Sequence, residues 1–208
     1  MKFIRADMKF IIASNNQKKI RELAAILSQH GFEAQSLKEA GIYSEPEETG
    51  SSFEDNALIK ARAAMKKSGF PAVADDSGLM VEALGGEPGI YSARYCEGSD
   101  MDRVHYLLKK LTHVPAQERQ AKFVSAIACV FPDGREFTCR GECEGEIAFS
   151  CAGENGFGYD PVFYVPDFHK TFAELPEEIK NQISHRAVAL HRFAAQLAAQ
   201  MTAQPAAL

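Results

Sequence analysis

The sequence predicts an α/β protein of two lobes with a cleft between them. Short apolar strands alternate with helices whose apolar residues recur at i, i+3, i+4 and i+7, and a long two-stranded hairpin interrupts the alternation. The 208 residues are 46% hydrophobic and 25% charged, which is ordinary for a globular protein with a substantial core. We expect a single domain over residues 1–208, with frayed ends at 1–8 and 202–208.

The first predicted unit is a strand, a polar turn and a helix. Lys9–Ala13 is a short apolar strand, and either Asn15 or Asn16 can cap the amphipathic helix that follows, which Gly31 can close. Backbone N–H groups at such a helix start attract anions. Lys19 lies in the first turn, where a cation is unfavourable for the helix dipole, so it is either a solvated side chain or part of an anion site.

An acidic loop follows the predicted strand Phe32–Leu37. The loop contains Glu47 and Glu48, and taken alone it is typical of a solvated surface loop. If the ligand is a polyanion, a chain of net charge −5 needs local lysines or a divalent cation to hold it.

The second helix is predicted from a capping box between Ser51 and Glu54 and ends at Gly69. Asn56 and Lys60 are four residues apart, so both can point toward one place. An ordinary exposed pair gives the same pattern, and the sequence leaves both interpretations open.

Two consecutive acids stand after an apolar run in the stretch Ala72–Tyr95. We expect a strand that ends at Asp75 and Asp76 and breaks at Ser77-Gly78. Asp, Ser and Gly are favoured in turns, which is the simpler interpretation of these residues alone. The carboxyl ends of strands in α/β sheets are also where ligands bind.

The second half of the chain adds a helix, a hairpin and a glycine-rich loop. Residues 121–131 and 135–149 predict two strands joined at Pro132-Asp133-Gly134. In the loop Gly153–Asp160, Phe157 and Tyr159 are expected to be exposed and able to stack on a flat ring, with core packing as the alternative.

The last predicted helix repeats the pattern of a cationic start. Ser184 is a suitable cap, so His185 and Arg186 fall in the first turn, and Lys180 stands just upstream. Two helices with cations at their N-termini suggest that anions are held there.

Composition excludes several classes of protein. A net charge of −5 argues against nucleic acid as a partner, and no apolar run approaches the roughly 18 residues of a membrane span. The five cysteines form no CxxC pair, and the N-terminus lacks a secretory signal, so we expect reduced thiols in a cytoplasmic protein. HExxH, GxSxG and Walker motifs are absent.

Six segments together resemble the inosine/xanthosine triphosphate pyrophosphatases, which remove non-standard purine nucleotides. In chain order they read SNNQKKIRE, EETGSSFEDNALIKA, ADDSGL, GGEPGIYSARY, GFGYDPVF and KNQISHR. The resemblance implies a long curved mixed β-sheet flanked by helices, two lobes with a central substrate cleft, and a homodimer. It also implies Mg²⁺-dependent hydrolysis of ITP, dITP or XTP to the monophosphate and pyrophosphate.

The resemblance also implies roles for individual residues. Asp76 is the expected general base and a magnesium ligand, together with Glu47 and Glu48. The expected triphosphate-binding residues are Ser14, Asn15, Asn16, Gln17, Lys18 and Lys19. The other expected substrate-binding residues are Ser77, Phe157, Gly158, Tyr159, Asp160, Lys180, His185 and Arg186. The commoner family turn is Thr-Gly-Asn, whereas this chain has Ser14-Asn15-Asn16.

Two alternatives to this function stay open at the level of sequence. One is a related pyrophosphatase for modified pyrimidine or methylated nucleotides, which the GFGYD and SHR segments fit less well. The other is a non-catalytic nucleotide sensor, against which the retained acids at Asp76 and Glu47-Glu48 argue.

Overall fold

The computed structural model describes residues 9–202, and the side chains of residues 9–200. The expected fraying of residues 1–8 and 203–208 lies outside this range. Residue 202, also expected to fray, is the last helical residue of the described chain. Within residues 9–202, no helix is both long and apolar enough to cross a membrane.

The described strands form one seven-stranded mixed sheet in the order β2-β1-β3-β4-β5-β6-β7. Next to the edge strand β2, β1 runs parallel to both β2 and β3, whereas β6 is antiparallel to β5 and β7. The expected mixed sheet is therefore confirmed. The strands are β1 Lys9–Ile12, β2 Glu33–Ser36, β3 Ala72–Val81, β4 Gln120–Val130, β5 Glu136–Ile147, β6 Phe163–Val165 and β7 Lys170–Thr171.

Helices connect the parallel strands and close the chain, as the apolar periodicity predicts. They are α1 Gln17–Gln29, α2 Phe53–Ser68, α3 Asp100–Lys110, α4 Glu177–Ile183 and α5 His185–Thr202. On α2, one face is apolar and buried, formed by Phe53, Ala57, Ala61 and Ala64. These helices supply the first turns and loops that carry the candidate site.

The chain divides into two compact units, each with its own core. Of the described residues, the first contains 9–76, Ala126–Gly141 and 189–202, and the second contains Ser77–Ser125 and Glu142–Val188. Large side chains at the centre of the first core are Phe10, Leu23, Leu27, Phe131 and Phe193. In the second they are Leu107, Leu111, Phe163 and Phe172.

The predicted break at Ser77-Gly78 is wrong. β3 runs without interruption from Ala72 to Val81, so Asp75 and Asp76 lie in the middle of a strand and not at its end. β1 pairs with the start of β3, at Ala72 and Val73, and β4 is the neighbour of β3 on its other side. Ladder pairing of this kind outweighs the local preference of Asp-Ser-Gly for a turn.

The start of α2 also differs from the prediction by one residue. Ser52, not Ser51, is the N-cap, and its hydroxyl accepts a hydrogen bond from the Asp55 N–H at 3.1 Å. Ser51 instead donates its hydroxyl to Asp55. The hairpin prediction is confirmed, since the Phe131 N–H donates to the Arg135 carbonyl at 2.9 Å across the predicted turn.

Candidate functional site

The turn before α1 is organised by its own side chains. Asn16 caps the helix, with its Oδ1 accepting hydrogen bonds from the N–H groups of Lys18 at 2.9 Å and Lys19 at 3.3 Å. Ser14 Oγ accepts from the Asn16 N–H at 3.1 Å. Of the two predicted caps, Asn16 is therefore the one used. Two of the first-turn N–H groups donate to this cap, whereas the sequence prediction left them open to a ligand.

Asn15 links the same turn to the acidic loop. Its side-chain amide donates to Glu45 Oε1 at 3.2 Å, and Glu45 in turn accepts a hydrogen bond from the Tyr43 hydroxyl at 2.8 Å. The two segments predicted to bind phosphate and metal are thus joined directly within the first unit.

Five charged side chains of the first unit meet around the middle of β3, and we call them the lysine–carboxylate cluster: Lys19, Glu48, Lys60, Asp75 and Asp76. Neighbouring strand residues point to opposite faces of a sheet, so Asp75 and Asp76 require separate partners. Lys19 Nζ pairs with Asp75 Oδ1. Lys60 Nζ lies 2.7 Å from Asp76 Oδ1 and 3.0 Å from Glu48 Oε1.

Burial sets the electrostatics of this cluster. Asp76 is only 8% exposed, and desolvation raises its pKa above the ordinary value even though Lys60 and Lys19 act to lower it. For Lys60, burial acts to lower the pKa, but the charges of Asp76 and Glu48 and the hydrogen bonds with them raise it overall. Asp76 is therefore a carboxylate that accepts a proton more readily than an exposed aspartate does.

Asn56 fixes the acidic loop against α2. Its side chain is fully buried, and its Oδ1 accepts a hydrogen bond from the Gly50 N–H at 2.9 Å. The sequence pattern paired Asn56 with Lys60 but could not distinguish them from exposed residues. Lys60, absent from the predicted site residues, is in fact central to the cluster.

The donor set fits a hard divalent cation in part. Glu48 and Asp76 already share one positive charge, the Lys60 ammonium, and Mg²⁺ commonly takes one or two carboxylates together with water and phosphate oxygens. Glu47, the third predicted ligand, is exposed. Among the described residues, no three Asp, Glu, His or Cys side chains are grouped so as to hold a metal.

The second unit contains a buried ion pair beneath an exposed aromatic ring. Lys180 Nζ pairs with Asp160 Oδ2, and both residues are at most 9% exposed. The Asp160 carboxylate also accepts the Phe157 N–H at 2.8 Å, and Lys180 Nζ lies 5.2 Å from the centre of the Phe157 ring. Phe157 itself is 43% exposed, so one charged pair supports both the backbone and the ring of this residue.

Tyr159 is buried, and the prediction that it is exposed is wrong. It is 5% exposed and donates its hydroxyl to the Ser92 carbonyl at 3.0 Å, and burial raises the pKa of its phenol. Ser92 belongs to the GIYSARY segment and its Oγ accepts the Leu79 N–H of β3 at 2.8 Å. Gly158 donates its N–H to Asp100 at 3.0 Å. Tyr159 therefore anchors the loop in the core of the second unit.

The start of α5 carries the remaining predicted residues. Ser184 Oγ accepts the Ala187 N–H at 3.2 Å, as expected for a capping residue. The His185 ring stacks on Phe123 at 4.8 Å, and Arg186 Nη2 donates to Ser77 Oγ at 3.3 Å. Both His185 and Arg186 are 7% exposed, so the two side chains are buried at the start of α5.

Comparison with known proteins identifies the family of this chain. The model of the Ham1 family matches residues 10–196. The chain belongs to the Ham1 family. It is 51% identical over 187 residues to a dITP/XTP pyrophosphatase of Symbiobacterium thermophilum, covering 90% of this chain and 93% of the relative, and 50% identical to one of Haemophilus influenzae, covering 88% and 95%.

Solved Ham1 structures share the fold. The Staphylococcus aureus Ham1 protein superposes with a TM-score of 0.86 at 45% identity, covering 92% of this chain and 99% of that one. A HAM1 protein from Coxiella burnetii also gives 0.86, at 40% identity and with 92% and 98% coverage. The resemblance inferred from six short motifs is thereby confirmed at the level of family and fold.

Proposed function

We propose that this chain hydrolyses dITP, ITP and XTP to the nucleoside monophosphate and pyrophosphate, and so removes deaminated purines from the nucleotide pool. The observation that carries the proposal is the lysine–carboxylate cluster, in which two buried aspartates of β3 each pair with a lysine. The choice of substrate is supported by relatives named dITP/XTP pyrophosphatase, which are 51% and 50% identical to this chain over most of its length.

Asp76 is the proposed general base. Water attacks the α-phosphorus, a new P–O bond forms, the α–β anhydride bond breaks, and the water proton passes to the Asp76 carboxylate. In the metal-free protein, desolvation raises the pKa of the Asp76 carboxyl, and a carboxylate with a raised pKa is a better proton acceptor.

The turn at Ser14, Asn15, Asn16, Gln17, Lys18 and Lys19 is the proposed triphosphate-binding segment. Lys19 supplies the main positive charge for the leaving pyrophosphate, and the start of α1 adds its dipole. The Asn16 cap keeps the N–H groups of Lys18 and Lys19 directed at one point. A phosphate oxygen that replaces the Asn16 side chain would meet both donors.

Glu48 and Asp76 are the proposed ligands of one Mg²⁺ ion. Bound there, the ion would neutralise charge on the triphosphate. Both carboxylates form an ion pair with the Lys60 ammonium, which shows that their oxygens lie close enough together to hold one cation. The exposed position of Glu47 makes it the weaker member of the predicted set.

Phe157 is the proposed stacking surface for the purine ring, and Arg186 the donor to its 6-oxo group. Arg186 is the better candidate because its guanidinium carries several N–H donors, whereas the single backbone N–H groups of Phe157 and Gly158 already donate to Asp160 and Asp100. A donor in that place would meet the 6-amino group of adenine donor to donor, at a cost of about 1–3 kcal/mol. We include Ser77, Tyr159, Lys180 and His185 as residues that shape this pocket.

We also propose that the protein works as a homodimer in the cytoplasm. The dimer follows from the family resemblance, and the five free cysteines support a reducing compartment.

Light scattering on the purified protein tests the dimer, and a monomer at micromolar concentration contradicts it. Cell fractionation tests the compartment.

One assay tests the activity. Purified protein and Mg²⁺ are incubated with ITP, dITP, XTP, dUTP, ATP and GTP, and both pyrophosphate and the nucleoside products are measured. We expect the three deaminated purines to react fastest, with equal amounts of monophosphate and pyrophosphate. Orthophosphate with a diphosphate product contradicts α-phosphate attack, and a preference for dUTP indicates the pyrimidine alternative.

A further inference from the structure

Lys60 holds two carboxylates that belong to different parts of the chain. Its ammonium lies 2.7 Å from Asp76 in β3 and 3.0 Å from Glu48 in the loop before α2. Their side chains are mostly buried, with 17% of Lys60, 26% of Glu48 and 12% of Asp76 exposed. Two like charges in such surroundings repel unless a cation lies close to both.

The Lys60 ammonium is held by Asp76 Oδ1 and Glu48 Oε1, and a metal ion at this pair would need oxygens of the same two carboxylates. A carboxylate whose charge already balances an ammonium is less available to a metal. Lysine has a flexible four-carbon stem, so its ammonium can leave without movement of the backbone.

The two carboxylates have supports other than Lys60. Asp76 lies in the middle of β3, and the Glu48 loop is fixed where Asn56 Oδ1 accepts the Gly50 N–H at 2.9 Å. Departure of the ammonium therefore leaves both acids in position for another cation.

We propose that Lys60 is the resident counter-ion of the Glu48–Asp76 pair in the metal-free protein, and that a divalent metal must displace its ammonium to bind. This inference rests on the proposed function, in which the same pair holds the metal. Lys60 then offsets the repulsion between the two acids before the metal binds, and it sets the metal concentration at which the site fills.

The test is metal affinity in the absence of nucleotide, with Mn²⁺ as a paramagnetic substitute for Mg²⁺. Free Mn²⁺ is measured by electron paramagnetic resonance during titration of wild type, Lys60→Met and Lys60→Arg, with Lys66→Met as a matched control on the exposed side of α2. If the ammonium leaves the site only a tenth of the time, Lys60→Met binds Mn²⁺ about tenfold more tightly. Lys60→Arg and Lys66→Met are expected to bind no more tightly than wild type.

A second readout is thermal unfolding of the same proteins with and without Mn²⁺. Without metal, Lys60→Met is expected to melt below wild type because its two carboxylates lose the ammonium between them, and saturation with Mn²⁺ is expected to restore the melting temperature. Equal or weaker Mn²⁺ binding by folded Lys60→Met, or a failure of both proteins to bind, overturns the proposal.

The result separates this inference from the proposed function. If the wild-type protein releases pyrophosphate from ITP but Lys60→Met binds Mn²⁺ no more tightly, only the displacement of Lys60 is wrong. If wild type hydrolyses none of the nucleotides, the proposed function fails, whereas tighter Mn²⁺ binding by Lys60→Met still supports the exchange of cations.

Discussion

Lys19 of α1 forms an ion pair with Asp75 in the middle of β3. The Asp75 side chain is 1% exposed and that of Lys19 is 15% exposed, so the pair is mostly shielded from water. A first-turn lysine, unfavourable for the helix dipole, therefore has a carboxylate partner in the sheet. Lys19 can serve to neutralise Asp75, to hold a triphosphate, or both. The first role affects the stability of the protein, and the second affects KM.

Replacement of Lys19 separates them. We expect Lys19→Ala to lower the free energy of unfolding by about 3 kcal/mol, because it removes the ammonium that pairs with the buried Asp75 carboxylate. If Lys19 also holds the triphosphate, KM for ITP rises by about tenfold or more. Urea unfolding and steady-state kinetics measure the two effects on the same preparation.

The control for this experiment is Arg21→Ala. Arg21 is an exposed cation of the same helix. It should change KM little, since its guanidinium contacts only the Gln17 carbonyl among the hydrogen bonds of the described chain. If folded Lys19→Ala has wild-type kcat and KM, Lys19 does not bind the triphosphate and its ion pair with Asp75 serves only the stability of the fold.

Asp76 gives the second prediction. Asp76→Asn keeps the shape of the side chain but removes the proton acceptor, so we expect kcat to fall by about 10²–10⁴-fold with the fold retained. Asp133→Asn, at an exposed hairpin turn, is the matched control and should remain active. Activity of Asp76→Asn close to wild type would remove Asp76 as the base.

Glu47 and Glu48 give the third prediction, because the sequence treats these neighbours alike and the structure does not. Glu48 shares the Lys60 ammonium with Asp76, whereas Glu47 is exposed. We expect Glu48→Gln to require about tenfold more Mg²⁺ for half-maximal activity, as is typical when a metal site is weakened. Glu47→Gln should change this requirement little. A larger effect for Glu47→Gln would reverse the assignment of the ligand.

The secondary structure was predictable from the sequence where it depends on local contacts. The apolar periodicity and the caps predicted α1, α2 and the hairpin close to their observed bounds, because these elements depend on contacts between near neighbours in the chain. The continuation of β3 through Ser77-Gly78 depends on pairing with distant strands, which no local pattern encodes.

The members of the candidate site were predictable to different degrees. The order of the six motifs along the chain identified Asp76 and Lys19 as site residues. Their ion-pair partners, Lys60 for Asp76 and Asp75 for Lys19, are known only from the folded structure. Tyr159 was misjudged for the same reason, since an aromatic residue in a glycine-rich loop gives no sign that Ser92 accepts its hydroxyl.

The fourth prediction concerns the glycine-rich loop that carries Phe157. Gly153 has φ +80°, and a Cβ added there would lie 2.3 Å from the carbonyl carbon of Ala173, which is backbone and cannot move aside. The loop is tied to the same segment, because the Asn155 N–H donates to the Ala173 carbonyl at 3.0 Å. We expect Gly153→Ala to lower the free energy of unfolding by about 3 kcal/mol or more, through steric overlap added to backbone strain.

Gly158 is the matched control in the same loop. It also has positive φ, +61°, but an added Cβ meets no atom of the described chain within 4 Å. Gly158→Ala should therefore show only the backbone strain, about 1–2 kcal/mol. Urea unfolding of both variants gives the difference, and KM for ITP reports whether Phe157 has moved. Equal losses of stability in the two variants would mean that the close approach of Gly153 to Ala173 does not hold this loop in place.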